Sequence, residues 1–237
     1  MITPDYTNLI NNGLNLIAVF DTAALPTSIM ETLTDVPWQT YTRLVLVGNG
    51  GGEKLWAAMQ HEEMQAPDPI DHFSIRLAKS FIAEQLGGAN YHIVYPLTNY
   101  LLPLQQLGAL AGWHHDSPLG LGIHSHYGVW FAYRVAFLVD ADIPTRVDAQ
   151  TPSPCDSCVD KPCITTCPVQ AVGEIGRFKV NTCGKHRIAP NSPCVDRCLS
   201  RLACPVGREH RYPLAQIQYH YTHSLPSMRA WYESNPV

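Results

Sequence analysis

The spacing of apolar and polar positions changes several times along the first 150 residues. Leu14 to Phe20 (LNLIAVF) is a short apolar run between Gly13 and Asp21, the pattern of a buried strand. Arg43 to Val47 (RLVLV) predicts a second strand, which runs into Gly48-Asn49-Gly50-Gly51-Gly52 and then into a helical pattern through Leu55, Trp56, Ala58 and Met59. From Ile70 to Leu86 the apolar residues Phe73, Leu77, Phe81, Ile82 and Leu86 mark one helix face, which ends at Gly87-Gly88. A strand over Tyr91 to Tyr95, a helix over Leu101 to Ala111 and a strand over the aromatic and β-branched Val129 to Val139 complete an α+β domain.

Past Asp140 the punctuation changes. Pro144, Pro152 and Pro154 interrupt both helix and strand, so the chain divides into an α+β cofactor-binding candidate over 1–150 and a small domain over 151–237. Near the end, Leu214 to Tyr221 (LAQIQYHY) predicts a helix packing back, and Gln216, Tyr219, His220 and His223 are candidates to cover a pocket. Apolar residues make up 46% of the 237 positions, enough for a sizeable core, so disorder is not expected. No run approaches the roughly twenty apolar residues of a membrane span, and Met1 to Asn12 lacks the pattern of a signal peptide. A cytoplasmic chain with no membrane partner is the expectation.

Charge and cysteine sharpen the division. Residues 1–150 hold 6 Lys and Arg against 14 Asp and Glu, and residues 151–237 hold 10 against 6, giving −8 and +4. All eight cysteines lie in the basic part. They form two runs, Cys155-x2-Cys158-x4-Cys163-x3-Cys167-Pro168 and Cys183-x10-Cys194-x3-Cys198-x5-Cys204-Pro205, each of four cysteines ending in Cys-Pro. Two-cluster bacterial ferredoxins end their runs the same way, and the fourth cysteine of each run ligates the other cluster. Carried onto this chain, that rule assigns Cys155, Cys158, Cys163 and Cys204 to one [4Fe–4S] cluster and Cys167, Cys183, Cys194 and Cys198 to a second. The basic excess then balances cluster charge, or it serves a nucleic-acid partner such as tRNA, the less favoured reading. Structural zinc on the same thiolates and disulfides are the competing assignments.

The run Cys167-Pro168-Val169-x-Ala171-Val172 resembles ferredoxin domains generally. Upstream, Ala111-Gly112-Trp113, then Gly128-Val129-Trp130-Phe131, then Leu138-Val139-Asp140 are similar to the AGLGWIGK, GSWF and TD phrases of the epoxyqueuosine reductases, cobalamin-dependent iron–sulfur enzymes of tRNA modification. The resemblance implies a nitroreductase-like, cobalamin-binding α+β domain followed by a ferredoxin-like two-cluster domain. Ser117 to His124 (SPLGLGIH) with Tyr127-Gly128 also looks like a shorter bacterial variant without the C-terminal helical repeats. Where that family carries an acidic Asp ahead of the Ala-Gly glycine, this chain has Thr98, and no Asp or Glu lies between Glu84 and Asp116. Threonine cannot serve as an acid near neutral pH, so epoxide reduction is not carried over.

His114, His115, His124 and His126 crowd one loop region, and histidine is a frequent metal ligand. Trp113, His115, Ser117, His124 and Tyr127 are the candidates to line a cobalamin pocket, with rim histidines and buried aromatics as the plainer alternative. Gly48 to Gly52 is a candidate phosphate cradle or a simple turn. The expected function is one-electron transfer through two clusters to a cofactor or partner at the N-terminal domain, as an oxidoreductase of corrinoid-linked type. The alternatives are a plain ferredoxin-type carrier, exchanging electrons with a donor or acceptor protein, and a zinc-stabilised interaction module.

Overall fold

The computed structural model describes residues 2–60, 68–97 and 100–235. Ten α-helices are described: α1 Thr7–Asn11, α2 Thr27–Met30, α3 Glu53–Gln60, α4 Pro69–Gln85, α5 Leu104–Leu110, α6 Pro162–Thr165, α7 Val180–Ile188, α8 Leu199–Ala203, α9 Leu214–His223 and α10 Leu225–Ser234. Four strands, β1 Leu16–Asp21, β2 Arg43–Gly50, β3 Tyr91–Tyr95 and β4 Phe131–Val139, form one antiparallel sheet in the order β1-β2-β4-β3. This is the mixed helix and sheet architecture that the apolar periodicity predicts.

Two compact units divide the chain: Met1–His114 with Phe131–Thr151, and His115–Trp130 with Pro152–Val237. A single cut near residue 150 therefore misses one excursion. Residues 115–130 leave the sheet unit and belong with the cysteine-bearing unit, and Val129 and Trp130 fall outside β4.

In the sheet unit, β2 is central, with Leu46 opposite Ala18 on β1 and opposite Ala136 on β4. Helix α4 begins with Pro69, whose missing N–H costs nothing at a helix start. It buries Ile70, Phe73, Leu77, Ala78, Phe81 and Ile82, the repeat of a single face. Gly48 to Gly52 is mostly the end of a strand rather than an open loop. Gly48 and Gly50 belong to β2, Asn49 Nδ2 donates to the carbonyls of Gly13 and Gly51 at 2.7 Å each, and Gly50 N–H donates to Asn15 Oδ1 at 2.8 Å. Gly13 takes φ +84°, and a side chain there would meet the backbone of Leu55, so the glycine allows α3 to start hard against β1.

The second unit has no strand among its described residues and builds its core differently. Leu119, Ile123, Val129, Trp130, Val172, Tyr212 and Ile217 pack with Cys163 and Cys204. No described helix is long and apolar enough to cross a membrane.

Candidate metal centres

The thiols are delivered by two short helices and the turns that flank them. Cys155 and Cys158 sit in the loop before α6, which Lys161 enters through a left-handed conformation (φ 39°) ahead of Pro162. Cys163 lies in the first turn of α6, and Cys167 just beyond its end. Cys183 is on α7, and Cys194 lies in the following loop. Cys198 caps the start of α8, its sulfur accepting from Arg201 N–H at 3.4 Å, and Cys204 caps the end of α8. Because α6 and α8 pack together, each Cys-Pro turn is carried across to the sulfurs of the other run. All eight cysteines are free thiols.

Mutual electrostatics sorts the sulfurs. Burial raises the Cys155 thiol first, and the charges of Cys204 and Cys158 raise it further. Burial pushes Cys163 up to about 11, with Cys204, Cys155 and Cys158 adding to it. Cys183 is pushed up to about 11 by burial and then by Cys198, with Cys167 and Cys194 contributing and Arg187 opposing. Cys194 rises through burial and through Cys198 and Cys167. Among these couplings none links a member of 155/158/163/204 to a member of 167/183/194/198. A metal ligand must be a thiolate, and a bound metal would supply the stabilisation that thiols raised in this way need. Cys167 moves the other way. Burial acts to raise it and is outweighed by N–H groups of Val169, Val172 and Ala171 and by Ser200. Among the described residues no three His, Cys, Asp or Glu side chains converge as they would around one ion.

The second set shares a cavity of about 480 Å³ whose wall includes Cys167, Cys183, Cys194 and Cys198. Leu119, Val172, Phe178 and Tyr221 supply much of its apolar lining, and Arg187, Arg197 and Arg201 reach it as well. Four thiols, N–H groups directed at sulfur from Ala171 (3.3 Å) and Arg201, and an apolar wall are the surroundings that a cubane iron–sulfur cluster takes. From the C-terminal helices the lining residues are Tyr221, Met228, Trp231 and Tyr232, and not Gln216, Tyr219, His220 or His223. Sequence reading missed Arg187 and Arg201. Nothing in the spacing of single arginines between cysteines distinguishes them from surface charges.

The candidate cobalamin residues are placed otherwise than expected. Trp113 is 0% exposed and donates Nε1–H to Asp148 Oδ2 at 2.9 Å, so its ring is core of the sheet unit and offers no face to a ligand. The other four belong to the second unit. Ser117 is buried, donating to Leu121 O at 2.6 Å and accepting from Leu119 N–H at 3.3 Å. His124 is buried too, its Nδ1 accepting from the N–H groups of His126 and Tyr127. His115 exchanges backbone hydrogen bonds with Ile123, and the Tyr127 ring packs against His124, His126 and His210. These residues fold residues 115–130 onto their own unit. At Gly128 (φ +57°) a Cβ would lie 2.1 Å from Val206 O, so the excursion rests directly on the turn after Cys204-Pro205. As a cobalamin lining the five do not fit, and no step is derived through that group. Thr98, which stands where the family's acid falls, lies outside the described residues.

An antiparallel α+β sheet unit and a helical unit with eight thiols on one chain define a class of mixed helix and sheet fold with a cysteine-rich second unit. Solved structures narrow the fold. The chain is similar to epoxyqueuosine reductase from Streptococcus thermophilus, at 14% identity and a TM-score of 0.52 over 87% of this chain and 66% of that one. An epoxyqueuosine reductase solved with an epoxyqueuosine-modified tRNA-Tyr stem loop aligns at 11% identity and a TM-score of 0.53, over 90% of this chain and 66% of that one. The Bacillus subtilis epoxyqueuosine reductase aligns at 12% identity and 0.50, over 85% and 64%. At such identities the likeness is one of fold, and the chain spans less than two thirds of the length of these proteins. No protein-family model matches the sequence, and no curated protein matches it significantly.

Proposed function

We propose that the chain is a one-electron redox protein holding two [4Fe–4S] clusters, on Cys155, Cys158, Cys163 and Cys204 and on Cys167, Cys183, Cys194 and Cys198. What supports the reading is that α6 packs against α8 and that the neighbouring thiols acting on each cysteine come from its own set of four. Bound there, the clusters supply single-electron transfer at potentials set by net charge, hydrogen bonds to sulfur and exposure. The chain's own part is to hold the thiolates, to direct N–H groups at them and to exclude water with Leu119, Val172 and Phe178.

The sheet unit is the docking place of the electron acceptor, which makes the protein an oxidoreductase component. The fold likeness to epoxyqueuosine reductases makes a corrinoid the acceptor to try first, with a plain electron carrier as the alternative. Eight free thiols suit a reducing compartment such as the cytoplasm. A tRNA partner is the less favoured use of the basic part.

Iron, sulfide and zinc content of anaerobically purified protein tests the reading. About eight iron and eight sulfide per chain are expected, with broad absorbance near roughly 400 nm. Zinc without sulfide would leave a structural module instead. Cys167→Ser is expected to damage the cluster held mainly by the second run, and Cys204→Ser the cluster held mainly by the first. The opposite pattern would refute the crossed ligation. Titration with hydroxocobalamin separates the acceptors: a spectral shift marks a corrinoid-linked reductase, and none marks a plain carrier.

A further inference from the structure

Two of the three arginines on the cavity wall of the second thiol set, Arg187 and Arg201, pair with no carboxylate among the described residues. Arg187 donates to Met228 Sδ (3.1 Å), Tyr221 O (3.0 Å) and Ser224 Oγ (3.2 Å), and its guanidinium lies 4.6 Å from the centre of the Tyr221 ring. Arg201 donates to Val129 O (2.7 Å) and lies 4.5 Å from the centre of the Trp130 ring and 5.3 Å from that of Tyr212. Every one of these acceptors is neutral, and the Nε–H of each arginine is buried without a partner. The third arginine of the wall, Arg197, is spoken for. It forms a double hydrogen bond with Asp196 (2.6 and 2.8 Å), which Gln218 also holds at 2.7 Å.

The first set is treated differently. The cations acting on it are Lys161 at Cys155 and Arg208 and Arg211 at Cys204, and all three are exposed to solvent. Exposed charges are screened within about 8–10 Å by salt, whereas partly buried ones keep much of their Coulomb energy. Two guanidiniums fixed on aromatic faces in an apolar cavity are costly unless an anion shares it. A [4Fe–4S] cluster with four thiolates carries about −2, the charge that the pair of arginines balances.

We propose that Arg187 and Arg201 are the counter-ions of the second cluster and hold it at a higher reduction potential than the first, so that an arriving electron settles there. This inference rests on the two-cluster reading above. Adding one electron from a one-electron donor takes such a site from about −2 to about −3. No bond is made or broken and no proton moves. Nearby fixed positive charge favours the more negative state, so the site with the partly buried arginines fills first. Arg201 is tied to the second set by its place on that cavity's wall and by its own N–H, which donates to Cys198 Sγ at 3.4 Å.

The test is a redox titration of the full anaerobic protein followed by electron paramagnetic resonance, with iron and sulfide measured on the same samples. Wild type is expected to show two separate potentials. Arg187→Gln and Arg201→Gln should each lower the higher one by about tenfold in the reduction equilibrium, roughly 59 mV for one electron, and leave the lower one in place. Arg211→Gln should move neither by a comparable amount. Where a Gln variant loses its cluster, Arg187→Lys or Arg201→Lys retains the charge and should restore both iron and potential. Eight iron with potentials unmoved by the Gln variants, or Lys variants shifted as far as Gln, would overturn the counter-ion role and leave the cluster reading intact. Wild-type protein without iron and sulfide would overturn the cluster reading itself.

Discussion

In the sheet unit, Val135 to Val139 of β4 are fully buried, and α4 adds the buried side chains of Ile70, Phe73, Leu77, Ala78, Phe81 and Ile82. In the thiol unit, α6 and α8 have 4 and 5 residues, and Cys163, Cys194 and Cys204 are themselves part of the buried interior. Helices that short have no stability of their own, because nucleation costs more than a single turn returns. The first unit is therefore held by hydrocarbon and ladder hydrogen bonds. The second has a smaller apolar core around Trp130, Tyr212 and Ile217, and on the two-cluster reading proposed above it also leans on what bridges its sulfurs. Metal binding is folding free energy where the site does not exist in the unfolded chain.

On the two-cluster reading, the largest test of that contrast is removal of the metal. Oxidation and chelation that strip the iron should release amide protection across 155–210 while β1, β2 and β4 stay protected, as read by hydrogen exchange. Equal loss in both units would mean that the sheet also leans on the sulfurs, and the contrast would fail.

The complementary cut falls on the sheet unit. Phe137 is 0% exposed on β4, opposite Val45 of β2 and Ile93 of β3. Phe137→Ala should cost about 3–5 kcal/mol of that unit's stability in denaturant titration. Iron content per folded chain should not change. A loss of iron in step with the sheet would show that the two units fold as one.

How much of this was legible in sequence follows from where the forces lie. Strand and helix positions could be read closely. Tyr91 to Tyr95 is the strand expected, the helix expected over 70–86 is Pro69–Gln85, and the strand expected at 43–47 continues to Gly50. Local period determines such elements. The helix expected over 101–111 is shorter, Leu104–Leu110, because Pro103 starts it, and α10 was not anticipated. The excursion at 115–130 was illegible, since it depends on backbone contact between Gly128 and Val206, nearly eighty residues apart. Trp113 misled for a similar reason: its partner Asp148 is remote, and without it a Gly-Trp phrase reads equally well as a ligand platform. The cysteines were conspicuous because their spacing is itself the signal. Their arginine neighbours were not, because guanidinium placement depends on the aromatic faces of Trp130, Tyr212 and Tyr221.

The smallest effect is expected where the thiol unit depends on a helix rather than on sulfur. Gly184 sits in α7 on the cavity wall, and a Cβ there would fall 2.2 Å from Tyr232 Oη and 2.7 Å from Cε2 on α10. Gly184→Ala therefore pushes the Tyr232 ring away and loosens its hydrogen bonds to Asn181, which are already long at 3.4 and 3.5 Å. Alanine in a helix interior gains up to about 1 kcal/mol over glycine, which offsets much of the clash. Net stability should stay within about 1 kcal/mol, with iron content unchanged. The change should appear locally, as faster proteolysis within Leu225–Ser234 and an altered emission from half-exposed Trp231. Unchanged cleavage and emission would mean that α10 is held by Arg187 through Met228 and Ser224 alone, so that the cover of the second site is tied to the same charge that would tune its potential.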